Sequence, residues 1–153
     1  MRRAVLLWLT VMGVTLILAS GIALAAVVQC VPGQQCNGTD QADQITGTGG
    51  PDMIFAEGGD DTVKAGTGND QITGDGDFGG NDGEDTIFGG PGDDEFGAFG
   101  RSDTLEGGSG NDTIHAAMDG VKDDIDCGRG SSDRVDFDRG IDAVSRCEIQ
   151  MPR

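Results

Sequence analysis

Aspartate returns along this 153-residue chain at a spacing that could do chemistry. Asp43, Asp52, Asp61, Asp70, Asp85, Asp94, Asp103, Asp112, Asp123, Asp133 and Asp142 each stand two residues before a large apolar residue. Those partners are Ile45, Ile54, Val63, Ile72, Ile87, Phe96, Leu105, Ile114, Ile125, Val135 and Val144. Most steps are nine residues. Carboxylates at fixed spacing can act as acid–base pairs or can gather cations. Neighbours such as Asp60–Asp61 and Asp93–Asp94 have the makings of a hydrolase pair. Their return at the same place in successive units argues for a scaffold, since catalysis needs its acid and base once and a repeat needs them in every turn.

The residues before each aspartate sharpen this reading. Two units, "GGPGDDEFG" from Gly89 and "GGSGNDTIH" from Gly107, fit G-G-x-G-x-D-x-U-x completely, with U a large apolar residue. Gly50, Gly59, Gly68, Gly83, Gly92 and Gly110 fill the fourth place, and Gly66, Gly90 and Gly108 the second. Glycine lets a backbone take positive φ and approach its neighbours closely. It also leaves carbonyl oxygens uncovered. Calcium takes six to eight hard oxygen ligands and accepts carbonyls beside carboxylates. Zinc fits poorly, because the chain has one His and no closely spaced thiol cluster.

On these motifs the chain resembles the RTX, or haemolysin-type, calcium-binding nonapeptide repeat family over residues 38–145. The resemblance implies an all-β, right-handed parallel β-roll, a β-solenoid holding several Ca2+ ions between turns two units apart. It implies metal ligation by Asp52, Asp61, Asp70, Asp85, Asp94, Asp103 and Asp112. The turns around Gly59, Gly66, Gly68, Gly83, Gly90, Gly92, Gly108 and Gly110 would supply carbonyls. Asp52 would share a column with Asp70, and Asp94 with Asp112, while Asp43, Asp61, Asp85 and Asp103 face the opposite side. The six-residue insertion Gly74 to Gly79 is expected to break or bulge one column.

The elements that must position these ligands are short. The stretch x-U-x makes a three-residue strand whose middle side chain points opposite to its neighbours. Two nonamers make one coil, and coils stack at about 4.8 Å. U then lines the interior, and the seventh and ninth places face out. The outer residues are too mixed for a lattice-matching face: Gln44, Met53, Thr62 and Gln71 at one place, Thr46, Phe55, Lys64 and Thr73 at the other. His115, in a ninth place, reads as an outward strand residue.

The ends differ from the middle. Residues 1–25 open with Arg2 and Arg3, continue as an apolar run and offer "ALA" at Ala23–Ala25, which reads as a signal peptide or, uncleaved, a membrane anchor. Residues 26–37 form a short Cys-containing cap, 38–115 the calcium-binding repeats, and 116–153 degenerate repeats with a C-terminal cap. Four cysteines in an exported chain suggest two disulfides, for which three pairings exist. Cys127 and Cys147 are close to one coil apart, which suits a bridge and leaves Cys30 with Cys36. In the last units Val121 and Ser131 stand at the fourth place, Met118 and Phe137 at the first, and Arg129, Arg134, Arg139 and Arg146 appear. Arginine is expected to pair with Asp123, Asp133 or Asp142 there, making these poor ligands. Asp43, in a glycine-poor turn, is another.

The net charge of -17 sets nucleic acid aside as a partner, because phosphate is repelled. The chain contains neither H-E-x-x-H nor G-x-S-x-G, and no enzyme is expected. The reading is a secreted calcium-binding repeat protein, folded by Ca2+ and acting as a structural or cell-surface module. The alternative is an adhesin or polysaccharide-binding module that uses the outer face toward an extracellular protein or polysaccharide. Membrane contact is expected only if the N-terminal segment stays uncleaved.

Overall fold

The computed structural model describes residues 8–11, 14–17, 26–75, 83–97, 100–116 and 119–153. These residues form strands and turns, with no helix among them. At the N-terminal end, β1 (Trp8–Val11) and β2 (Val14–Ile17) pair antiparallel. The rest is a solenoid of two parallel sheets. One holds β3 (Val27–Gln29), β5 (Gln44–Thr46), β7 (Thr62–Lys64), β9 (Thr86–Pro91), β11 (Thr104–Ser109), β13 (Asp124–Arg129) and β15 (Ala143–Ser145). The other holds β4 (Gln35–Thr39), β6 (Met53–Glu57), β8 (Gln71–Asp75), β10 (Glu95–Gly97), β12 (Thr113–Ala116), β14 (Arg134–Phe137) and β16 (Ile149–Pro152).

Chain neighbours never pair within the solenoid; each strand pairs with the strand two further on. The register follows the apolar column. Ile45, Val63, Ile87, Leu105, Ile125 and Val144 stack in the first sheet, and Ile54, Ile72, Phe96, Ile114 and Val135 in the second. All but Val144 are buried. A one-residue slip would turn the whole column outward, so the apolar period of two fixes the register.

Three features go beyond the repeat pattern. First, β3 and β4 add a coil ahead of the eleven units, with Val28 under Ile45 and Cys36 under Ile54. The Cys-containing segment is thus itself part of the roll. Second, the first place also faces inward. Ala56, Ala65, Ala116 and Cys127 are fully buried there, and a side chain larger than Gly is admitted only at some units. Third, several strands outrun three residues. β9, β11 and β13 have six each, because their glycine-bearing continuations also stack in register.

The insertion leaves the stacking intact. Val63 pairs with Ile87 and Ile72 with Phe96 across it. The flanking strands stay in register, so the sheets do not break there; the alternative, a bulge in one column, falls on residues outside the described ones. Residues 76–82, which hold most of the insertion, lie outside the described residues, as does Met118.

Disulfides close both ends, Cys30 with Cys36 and Cys127 with Cys147. The C-terminal arginines do not pair as expected. Arg146 forms an ion pair with Asp126, and Arg153 with Asp136, both ninth-place residues on the outer faces. Asp123 and Asp133 stay buried in the roll, beyond the reach of these outer side chains.

Candidate metal centre

The repeat aspartates form two ladders, one along each turn edge of the roll. On the first edge the backbone N–H of Asp52 donates to Oδ1 of Asp70, Asp70 to Asp94, Asp94 to Asp112, and Asp112 to Asp133, each at 2.9 Å. On the second edge the same bond runs from Asp43 through Asp61, Asp85, Asp103 and Asp123 to Asp142. Every rung uses one carboxylate oxygen to satisfy a buried N–H one coil away. This is how a carboxylate comes to be buried in an all-β interior at all.

The other oxygen distinguishes the units. In Asp70, Asp94, Asp112, Asp123 and Asp133, Oδ2 is buried with no hydrogen-bond donor. A buried charged oxygen without a partner costs more than an ordinary lost hydrogen bond. Burial accordingly raises these acids, with Asp94 and Asp112 pushed up to about 6 and Asp123 to about 7. The N–H bonds work against that rise, and the neighbouring carboxylates add to it. Asp70 and Asp133 move the same way for the same leading reason. In Asp43 and Asp52 the second oxygen has a donor. In each, Oδ2 accepts the N–H of the residue four before it, Thr39 or Thr48, and the threonine hydroxyl bonds the same carboxylate. Both are thus satisfied within their own turns.

The two edges are unequal in their glycines. On the first, Gly66, Gly90, Gly108 and Gly128 stack in one column, and Gly68, Gly92, Gly110 and Gly130 in another. Gly92 shows why: its φ is 149°, and a Cβ there would lie 1.5 Å from the Gly68 carbonyl oxygen. Room beside the carboxylates is kept likewise. A Cβ on Gly89 would come within 2.6 Å of Asp94 Oδ2. On the second edge Gly59 has positive φ and Gly83 packs against its carbonyl. There Glu57 takes φ 78° in a second place and Arg101 stands in a fourth. Glycine-lined turns therefore stack without interruption on the first edge alone.

Gly128 and Gly130 correct the reading of the C-terminal units. The extra residue of the Asp133 unit falls after Gly130, not before it. Ser131 lies against Asn111, whose Oδ1 accepts its N–H, so Gly130 keeps the fourth place beneath Gly110. The "GRG" of "CGRGSSD" was the available signal. Asp133 is a full member of the first ladder.

A second, exposed ladder runs beside the first. Asp93 N–H donates to Asn69 Oδ1, and Asn111 N–H to Asp93 Oδ1. Its bonds run from the later coil to the earlier, opposite to the buried ladder. Among the described residues no three His, Cys, Asp or Glu side chains converge on one point. Side chains alone cannot enclose an ion here, so most ligands would have to be turn carbonyls. That donor set, hard oxygen throughout, suits calcium. The orphaned, buried Oδ2 atoms and the glycine-cleared turns fit it.

A family model for the RTX calcium-binding nonapeptide repeat matches residues 37–72, 79–96 and 98–117 in four copies. The repeat region belongs to the RTX calcium-binding repeat family. No curated protein and no solved structure matches the chain. The RTX match stops at residue 117, whereas the RTX ladder of the structure continues through Asp123 and Asp133. His115 is an outward residue of the RTX roll, 40 % exposed, with Nδ1 3.2 Å from Asp136 and Nε2 3.6 Å from Glu95. Among the described residues no helix is long and apolar enough to cross a membrane. Of residues 1–25, only β1 and β2 are described, and they are strands; the remainder of the expected signal segment lies outside the described residues.

Proposed function

We propose that this RTX chain is an exported structural or cell-surface module whose roll is completed by calcium. The buried, partnerless Oδ2 atoms of Asp70, Asp94, Asp112 and Asp133, set in uninterrupted glycine turns, carry this reading. Those four aspartates, with carbonyls of the turns at Gly66–Gly68, Gly90–Gly92, Gly108–Gly110 and Gly128–Gly130, would hold the ions on the first edge. Asp61, Asp85 and Asp103, with Gly59 and Gly83, are the second-edge candidates. Asp52 is a weaker one, since Thr48 already occupies its carboxylate. A bound Ca2+ supplies positive charge that neutralises the stacked carboxylates and gives each Oδ2 a partner.

The basic and apolar N-terminus and the two disulfides, which persist in oxidising compartments, support the reading of export. Extracellular calcium would then act on the chain after it leaves the cell, because metal binding free energy becomes folding free energy. The module is read as non-catalytic: its repeat aspartates are ladder members, and His115 lies between two carboxylates on a strand.

The test is a calcium titration of the oxidised chain followed by far-UV circular dichroism. A cooperative rise in β-signal, reversed by chelator and not produced by magnesium, is expected. A full roll in chelator, unchanged by calcium, would refute calcium-completed folding.

A further inference from the structure

The outer face of the second sheet is not uniform. Gly97 stands in a ninth place, where the neighbouring units have Thr73 and His115. A Cβ there would lie 2.7 Å from the His115 carbonyl oxygen, so glycine leaves a dent in the face. A groove of about 300 Å³ opens over it, with Phe55 at one end and His115 at the other. A second groove, of about 540 Å³, adjoins it along the first turn edge and shares Met53, Gln71 and Glu95 with it.

The linings are chemically consistent. Gln34, Gln35, Asn69 and Gln71 bring four side-chain amides, which can donate and accept toward sugar hydroxyls. Phe55 and Met53 supply an apolar surface, and Met53 is 45 % exposed. Asp93 and Glu95 supply exposed carboxylates, and none of the described lining residues is Lys or Arg. The chain as a whole carries -17. A ligand with ring faces, hydroxyls and positive charge matches all three features.

We propose that this paired groove binds a polysaccharide segment bearing free amino groups. Its pyranose faces lie on Phe55 and Met53, its hydroxyls meet the amides, and its ammonium groups meet Asp93 and Glu95. A basic peptide would use the carboxylates and the apolar floor but would leave the amides unengaged. The proposal rests on the calcium-completed roll, since Asp52 and Asp70 lie in the same wall.

Binding of β-1,4-linked glucosamine tetrasaccharide to the calcium-loaded, oxidised chain is measured by calorimetry, with circular dichroism on the same sample. Binding is expected for the free-amine sugar, weakening with salt, and at least tenfold weaker for its N-acetylated form. Glu95→Gln should weaken it about fivefold, and Phe55→Ala about tenfold. Asp93→Asn is a third variant that keeps the roll, because Asn already fills its place in the same ladder at Asn69 and Asn111. An intact roll that binds no tetrasaccharide, that binds the acetylated form equally, or that prefers tetralysine overturns the proposal. A chain with no roll in calcium overturns the calcium reading and this one together, and the dichroism separates that case.

Discussion

The backbone N–H of Asp70 donates to Oδ1 of Asp94, 2.9 Å away and 24 residues later in the chain. The two oxygens of this carboxylate differ. Oδ1 satisfies a buried donor and ties coil to coil, whereas Oδ2 is buried with no hydrogen-bond donor. Under the proposed function the carboxylate would have two tasks, coil stacking through Oδ1 and Ca2+ ligation through Oδ2.

Asp94→Asn separates the two tasks. Asparagine keeps an oxygen for the Asp70 N–H but loses the charge. In chelator the variant should match or exceed the parent in thermal stability, because one buried carboxylate is gone. In calcium it should need a several-fold higher concentration to reach its midpoint. Asp94→Ala removes both functions and leaves the Asp70 N–H orphaned, which costs about 1–3 kcal/mol. Thermal melts with and without chelator read the contrast. An Asn variant less stable than the parent in chelator would mean that the charge itself supports the roll.

Proton and calcium should oppose each other. Burial holds Asp94 and Asp112 near 6 and Asp123 near 7, above the usual 3.8. A raised folded pKa means that the folded chain binds more protons than the unfolded one, so stability falls as pH rises through this range. In chelator the roll should be most stable below about pH 4 and lose stability between pH 4 and 7. Asp126 is shifted the other way by its hydrogen bond from Arg146, but its effect lies below 3.8, outside that window. With saturating calcium the trend should flatten or reverse, since protons then compete with the ion. Melting temperature against pH, in chelator and in calcium, checks both signs.

The sequence displays the stacking because one side-chain period carries it. The U column and the aspartate two residues before it report the same face in every unit, so register, sheet order and both ladders follow from counting. The ends were less legible. Val28 and Cys36 fill core places without an aspartate-glycine turn to mark them, so the first coil is silent in the repeat pattern. In "CGRGSSD" a single added residue shifts the count, and only the stacking of Gly130 on Gly110 shows on which side it falls. The arginines are misleading for a related reason. Charge composition says that Arg146 needs an acid, but the pairing depends on which face it occupies, and Asp126 shares its face.

Two glycines in fourth places should respond very unequally to alanine. At Gly92 the φ of 149° and the 1.5 Å approach to Gly68 forbid a Cβ. Gly92→Ala must open the turn stack and should cost several kcal/mol, at the upper end for single substitutions, together with calcium affinity on the first edge. At Gly50 nothing lies within 4 Å of the new atom. Gly50→Ala should stay within about 0.5 kcal/mol of the parent. Chemical denaturation in calcium measures both, and equal losses would show that glycine acts here through the unfolded chain rather than through the stack.

The C-terminal disulfide should matter more to the end of the roll than to its middle. Cys127 is fully buried in the first place of the Asp133 unit, and its partner Cys147 follows β15, so the bridge ties the last coil to the one before it. The later strands have weaker cores: Val144 is only partly buried, and Gln150 occupies the apolar place opposite Val135. Closing a loop of about twenty residues contributes roughly 3 kcal/mol. In the double variant Cys127→Ala/Cys147→Ala, hydrogen exchange should rise first at Ala143–Ser145 and Ile149–Pro152. Protection at Ile72 and Phe96 should change little, because each coil contacts only its neighbours. Uniform loss of protection along the roll would instead mark the solenoid as one cooperative unit, with the C-terminal bridge stabilising all of it.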